Sequence, residues 1–159
     1  MLKKLRIIKR GDIKLENDYI KVGMDEIKIT DSNNKIIGTQ ALATCVGVLL
    51  YSENHKTAIV AHISDKPEKY FEKILYMLKE NNLLDSKVKY AVIRGYYYNH
   101  YELYENLCSL FEDFKELFIP LNYKKSDIEK DEKLPALQFI FNAETGNFIK
   151  SKKNNRQLH

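Results

Sequence analysis

A chain of 159 residues that is 44% apolar and 30% charged has the length and make-up of one globular domain with a single core. Its apolar residues come in short periodic runs, never the roughly 18 in a row that a membrane span needs, so no membrane insertion is expected. The basic start has neither the apolar stretch nor the small-residue cleavage site of a secretory signal. The net charge of +4 sits at the ends, with five basic groups in residues 1–10 and four in residues 150–159, which leaves residues 11–149 at −5. No basic stripe interleaved with aromatics lies on that body, so nucleic acid is not an expected partner.

Cys45 and Cys108 are too few for a disulfide framework and lack the CxxC spacing of a zinc site. They suit a reducing, cytoplasmic compartment in which a thiol stays free. His55 falls in a polar turn and reads as solvated. His100 and His159 have no partner at ligand spacing, so neither metal nor cofactor is expected. The expected organisation is one domain over residues 1–149 followed by a flexible basic tail.

In chain order, alternation over residues 22–30 predicts a strand, closed by a turn at Asp31-Ser32-Asn33-Asn34. Residues 35–38 and a short polar stretch follow. Two β-rich runs, residues 46–51 and Thr57–Ile63, then flank a hairpin turn at Ser52-Glu53-Asn54-His55. Asp65 is placed to cap a helix with Pro67 in its first turn, Tyr70, Phe71, Ile74, Leu75 and Leu78 on one face, and Asn81-Asn82 as the stop. Its outer face, with Lys69, Glu72, Lys73, Lys79 and Glu80, reads as solvated.

Val88–Arg94 predicts a strand ending at Gly95. Asn99 is placed to cap a second helix, whose inner face is Tyr104, Leu107, Cys108, Phe111 and Phe114. Residues 117–121 predict a strand, and the polar run 124–133 a charged loop with nothing to bury. Residues 137–141 and 148–150 predict a hairpin around Glu144-Thr145-Gly146, with glycine at a positive φ. The expected class is α/β in the α+β sense, with antiparallel or mixed sheets covered by two helices.

The hairpin at residues 45–62 carries the chemistry. A turn centred between Glu53 and Asn54 sets Leu50 against Thr57, Val48 against Ile59 and Cys45 against His62. Facing residues on an antiparallel pair share a face with Cβ atoms about 4.5–5.5 Å apart. A thiol then meets an imidazole, and an imidazolium stabilises the thiolate below its free pKa of about 8.5. The same ring donates a proton to a leaving amine. Thr39, on the loop before, is a candidate to fix the ring's orientation through its hydroxyl. Cys108, on an apolar helix face, reads as core. Tyr96-Tyr97-Tyr98 reads either as a substrate rim or as amphipathic packing.

The words Val22-Gly23-Met24, Gly38-Thr39-Gln40, Leu42-Ala43-Thr44-Cys45-Val46-Gly47 and Ala61-His62 resemble the CheD family of bacterial chemoreceptor glutamine deamidases. The family pattern is a threonine, five residues, a cysteine within Leu-Gly-Ser-Cys-Val, sixteen residues and a histidine. Thr39, Cys45 and His62 keep that spacing. The likeness is strong over residues 20–65 and continues to about residue 149 in the order of elements. Alanine and threonine replace the Gly-Ser before the cysteine, Ile59-Val60 replace paired glycines, and the run 124–133 stands where the family has a glycine-rich element.

The resemblance implies a papain-like deamidation of protein glutamine, with Cys45 as nucleophile, His62 as base and acid, and Thr39 orienting the ring. The partner it implies is a protein carrying the target glutamine. That protein is a chemoreceptor or, as in fold-related deamidating toxins, one in a cell to which the chain is delivered. Competing readings are a protein-interaction adaptor that keeps the fold, and an amidase acting on small molecules or N-termini.

Overall fold

The computed structural model describes residues 19–97 and 101–150. The terminal basic runs, Tyr98, Asn99, His100 and His159 lie outside them. The described elements are β1 (Ile20–Val22), β2 (Ile27–Ile29), β3 (Ile36–Leu42), β4 (Val46–Ser52), β5 (Thr57–Ile63), α1 (Pro67–Glu80), β6 (Val88–Arg94), α2 (Tyr101–Asp113), β7 (Phe118–Pro120), β8 (Glu129–Lys130), β9 (Leu137–Asn142) and β10 (Asn147–Phe148). They form two mixed sheets. One runs β1-β3-β9-β10, with β8 also on β9; the other runs β2-β5-β4-β6-β7. No described helix is long and apolar enough to cross a membrane.

Alternation along β4 and β5 builds the layers. Val46, Val48, Leu50, Ile59, Ala61 and Ile63 face α1 and α2, where they pack with Phe71, Ile74, Leu107 and Phe111. Leu49, Tyr51, Ala58 and Val60 face the other sheet and pack with Ile37, Leu42, Phe139 and Phe141. β4 is therefore buried on both faces, which is why its sequence is a continuous apolar run.

The expected α+β class with mixed sheets and two covering helices is what the chain adopts. Helix α1 begins with Pro67 and is capped at its C-terminus by Asn81. β6 spans the predicted residues, and Gly146 (φ 75°) turns the last hairpin.

Several local expectations need correcting. Residues 22–30 are not one strand: β1 and β2 belong to different sheets, split by a turn in which Asp25 takes φ 62° and the Glu26 carboxylate accepts from the Gly23 N–H at 2.7 Å. Thr39 sits in β3, not in a loop. Asp65 does not cap α1; Lys66, at φ 58°, is the capping residue and has no side-chain cap bond, while the Asp65 carboxylate accepts from the Lys66 N–H. The run 124–133 is not all loop. It contains a 3-10 turn and β8, whose Glu129 is buried, because β9 offers an unpaired edge there. His55 is not merely solvated, since its Nε2 lies 2.9 Å from the Asp85 carboxylate.

Candidate active site

The β4–β5 register places Gly47, not Cys45, opposite His62, with Leu50 against Ile59 and Val48 against Ala61. The turn uses four residues between Ser52 and Thr57, with Lys56 at φ 49°, so the pairing expected from the sequence is displaced by two. A displacement of two preserves the face. Cys45 continues the parity of Gly47, Leu49 and Tyr51, so it and His62 both lie on the side of β4 and β5 that meets the second sheet. Cys45 itself lies just before β4 and packs with Val22, Leu42 and Phe139.

Thr39, on β3, crosses the interface to the ring. Its Oγ1 lies 2.7 Å from His62 Nδ1 and 2.7 Å from the Val22 carbonyl, both bonds being buried. A carbonyl only accepts, and a hydroxyl has one proton. That proton goes to Val22, so Oγ1 must accept from Nδ1–H. The neutral ring is thereby fixed with its proton on Nδ1 and a bare lone pair on Nε2. Nε2 is buried and has no hydrogen-bond partner among the described residues. An unpaired buried acceptor is uncommon.

The main chain of His62 is clamped by a bulge at β2. Its carbonyl accepts from the Asp25 N–H at 2.6 Å and its N–H donates to the Glu26 carbonyl at 3.1 Å. The Asp25 carboxylate accepts from both the N–H and hydroxyl of Ser64, and the Ser64 bonds hold it below the usual carboxylate range. Neither Asp25 nor Ser64 was legible as part of a site, because their meeting depends on the bulge.

Burial, and secondarily the Asp25 charge, pushes the Cys45 thiol up, against a Thr44 hydrogen bond that lowers it. Burial pushes the His62 imidazole down, partly offset by Asp25. Both shifts favour the uncharged forms, a thiol on Cys45 and an imidazole on His62.

A stability consequence follows. An unfolded histidine titrates at about 6.5; with its folded value depressed, the unfolded state binds more protons once pH falls below that. Stability present above about pH 6.5 is lost as pH falls towards the folded value. Urea unfolding at pH 7.5 and 5.5 should show that loss, and His62→Gln should reduce it.

The segment carrying Cys45 is held from β6. Tyr96 N–H donates to the Leu42 carbonyl and Tyr97 N–H to the Ala43 carbonyl, each at 2.9 Å. Ala41 takes φ 59° to start this bend. Gly95 permits the approach: a Cβ there would lie 2.4 Å from the Ala43 oxygen and 2.6 Å from the Cys45 oxygen. Backbone on both sides has no flexible end to move, so Gly95→Ala is expected to cost about 1–3 kcal/mol and to displace Cys45. Thermal unfolding and the Cys45 alkylation rate would report each effect.

Cys45 borders a pocket of about 10 Å³ with Thr44, Arg94, Tyr97, Tyr101 and Tyr104, room for about one water. Tyr97 is exposed and stands at this rim, whereas Tyr96 stacks edge-on against it under the Lys130 amine. Cys108 is half-buried against the helix-side core, and burial raises its thiol pKa.

No family model matches the chain. A curated protein described as a probable chemoreceptor glutamine deamidase CheD, from Clostridium botulinum (strain Eklund 17B / Type B), is 32% identical over 65 residues. The match covers 41% of this chain and 40% of that protein. The chain is similar, as a distant relative, to a CheD protein over less than half the length of either.

Proposed function

We propose that the chain is a cysteine-dependent deamidase that converts glutamine side chains of a protein to glutamate. The observation that carries this reading is the bare Nε2 lone pair of His62, fixed by Thr39 on the face that also holds Cys45. The distant CheD relative supports the class of reaction, and the same spacing of Thr39, Cys45 and His62 supports the roles.

His62 Nε2 takes the Cys45 proton as the sulfur attacks the carboxamide carbon. Starting from a neutral pair, proton transfer accompanies attack, as for a serine nucleophile. The Thr44 and Cys45 N–H groups, on the segment that carries the nucleophile into β4, are suited to the oxyanion. The proton on Nε2 then passes to the departing nitrogen and ammonia leaves a thioester. Water, activated by the same nitrogen, releases glutamate and restores the thiol. The reaction uses a cytoplasmic thiol and needs neither metal nor cofactor.

The substrate proposed first is a chemoreceptor signalling segment; a protein in another cell is the alternative. Incubating the full chain with a purified chemoreceptor cytoplasmic fragment should add about 1 Da per converted glutamine and release ammonia, and prior alkylation of Cys45 should stop both. Ammonia release unaffected by alkylation would remove Cys45 from the reaction.

The raised thiol pKa and the water-sized pocket beside Cys45 favour a second reading, an adaptor that binds partners without turnover. Tight binding of such a fragment with no mass change would support it.

A further inference from the structure

Ahead of β2 the pairing with β5 is irregular. The Asp25 N–H donates to the His62 carbonyl and the His62 N–H to the Glu26 carbonyl, so two residues of one strand face a single residue of the other. That is a β-bulge, which bends a strand and re-aims a side chain beside an active site. Its first residue, Asp25, is also the third residue of a turn closed by the Glu26 N–H on the Gly23 carbonyl, and it takes φ 62°. Glycine meets a positive φ at such a position without steric cost. Aspartate accepts backbone strain there, and what glycine would lack is the carboxylate.

That carboxylate is turned onto the strand end that carries the base. Its Oδ1 accepts from the Ser64 N–H at 3.0 Å and from the Ser64 hydroxyl at 2.8 Å. The bulge therefore grips His62 at its own peptide groups and again two residues further on. The other carboxylate of the bulge, that of Glu26, turns instead to the Gly23 N–H and the Lys28 amine. Asp25 is the carboxylate whose charge bears on His62, and it bears on Cys45 as well. The ring has need of it. His62 is buried, and taking the Cys45 proton makes it a cation where burial disfavours charge. Thr39 fixes the tautomer but is neutral, so it supplies no compensating charge.

We propose that Asp25 is a positioning residue for the deamidation: its bulge sets the place of the His62 ring, and its carboxylate steadies the imidazolium formed when Nε2 takes the thiol proton. The role rests on the deamidase reading for its chemistry and on the bulge for its geometry. The other titratable groups about this carboxylate are Lys69 and Tyr70 on α1, Cys45 ahead of β4 and Glu26 beside it on the bulge. All of them stay in place in the variants that test it.

Asp25→Asn tolerates the positive φ and keeps an oxygen for Ser64, so it removes the charge and little else. Asp25→Gly suits the backbone and removes both charge and clamp. Imidazole NMR titration of the full chain, with the His62 signals identified by their loss in His62→Gln, reads the charge without any substrate. Both variants should move the His62 midpoint below that of the native protein. Both should also speed iodoacetamide labelling of the Cys45 peptide at a fixed pH, because loss of a nearby anion favours the thiolate. On a chemoreceptor cytoplasmic fragment, kcat should fall roughly tenfold in Asp25→Asn with KM unchanged. It should fall roughly 10²-fold in Asp25→Gly, where the base is also displaced. A more reactive thiol with slower turnover is a pairing that a purely structural turn residue would not give. An unmoved His62 midpoint in both variants would overturn the proposal, as would native turnover in Asp25→Gly. A native chain that releases no ammonia would sink the deamidase reading instead, and the midpoints would still decide the role of Asp25.

Discussion

Cys45→Ser should leave the fold unchanged and lower glutamine conversion by at least about 10⁴-fold, the scale seen when a nucleophile that acts as a unit with its base is lost. The physical ground is acidity. His62, depressed by burial, is a weak base, and a thiol yields its proton to it far more readily than an alcohol. Serine is slightly smaller and fits the same packing among Val22, Leu42 and Phe139, so the melting temperature should shift little. Mass spectrometry of the substrate reads the chemistry and calorimetry reads the fold. Undiminished conversion by Cys45→Ser would refute the assigned nucleophile.

Thr39→Val should damage both stability and turnover. Valine matches threonine in shape, but it strands two buried groups: the Nδ1–H of His62 and the Val22 carbonyl. A buried polar group left without its partner costs about 1–3 kcal/mol. The ring also loses what fixes its tautomer, so a fraction of molecules would present N–H rather than a lone pair at Nε2, and turnover should fall by roughly 10²-fold or more. Thr39→Ser keeps the hydroxyl and should recover most of both. Imidazole 15N shifts test the cause directly: a pyrrole-type Nδ1 and pyridine-type Nε2 in the native protein, and a mixture in Thr39→Val. A native ring with its proton on Nε2 would refute the assignment.

What the sequence disclosed and what it withheld follow one physical divide. Apolar periodicity reports burial, so β4, β5, β6 and the buried faces of both helices were readable. Their sites of reversal were not, because the turns rest on Asp25, Lys56 and Lys66 at positive φ, and lysine carries no preference that would announce it there. Cys45 is not opposite His62 as expected, but the two keep one face because a slip of two leaves side chains on the same side. A slip of one would have separated them. Thr39 was placed with the right partner on the wrong kind of segment, since a polar-flanked run conceals a strand buried by the opposing sheet. Glu129 was hidden for the same reason: a charged run reads as solvated, and only the neighbouring edge of β9 makes it a strand.

The strict alternation of β4 and β5 gives the protein two mutational compartments on one ribbon. Exchanges among Val48, Leu50, Ile59 and Ala61 repack only the helical cover, while the opposite parity surrounds the imidazole. Substitutions on the helical side can therefore reshape the outer surface while the packing around His62, between the sheets, stays as it is.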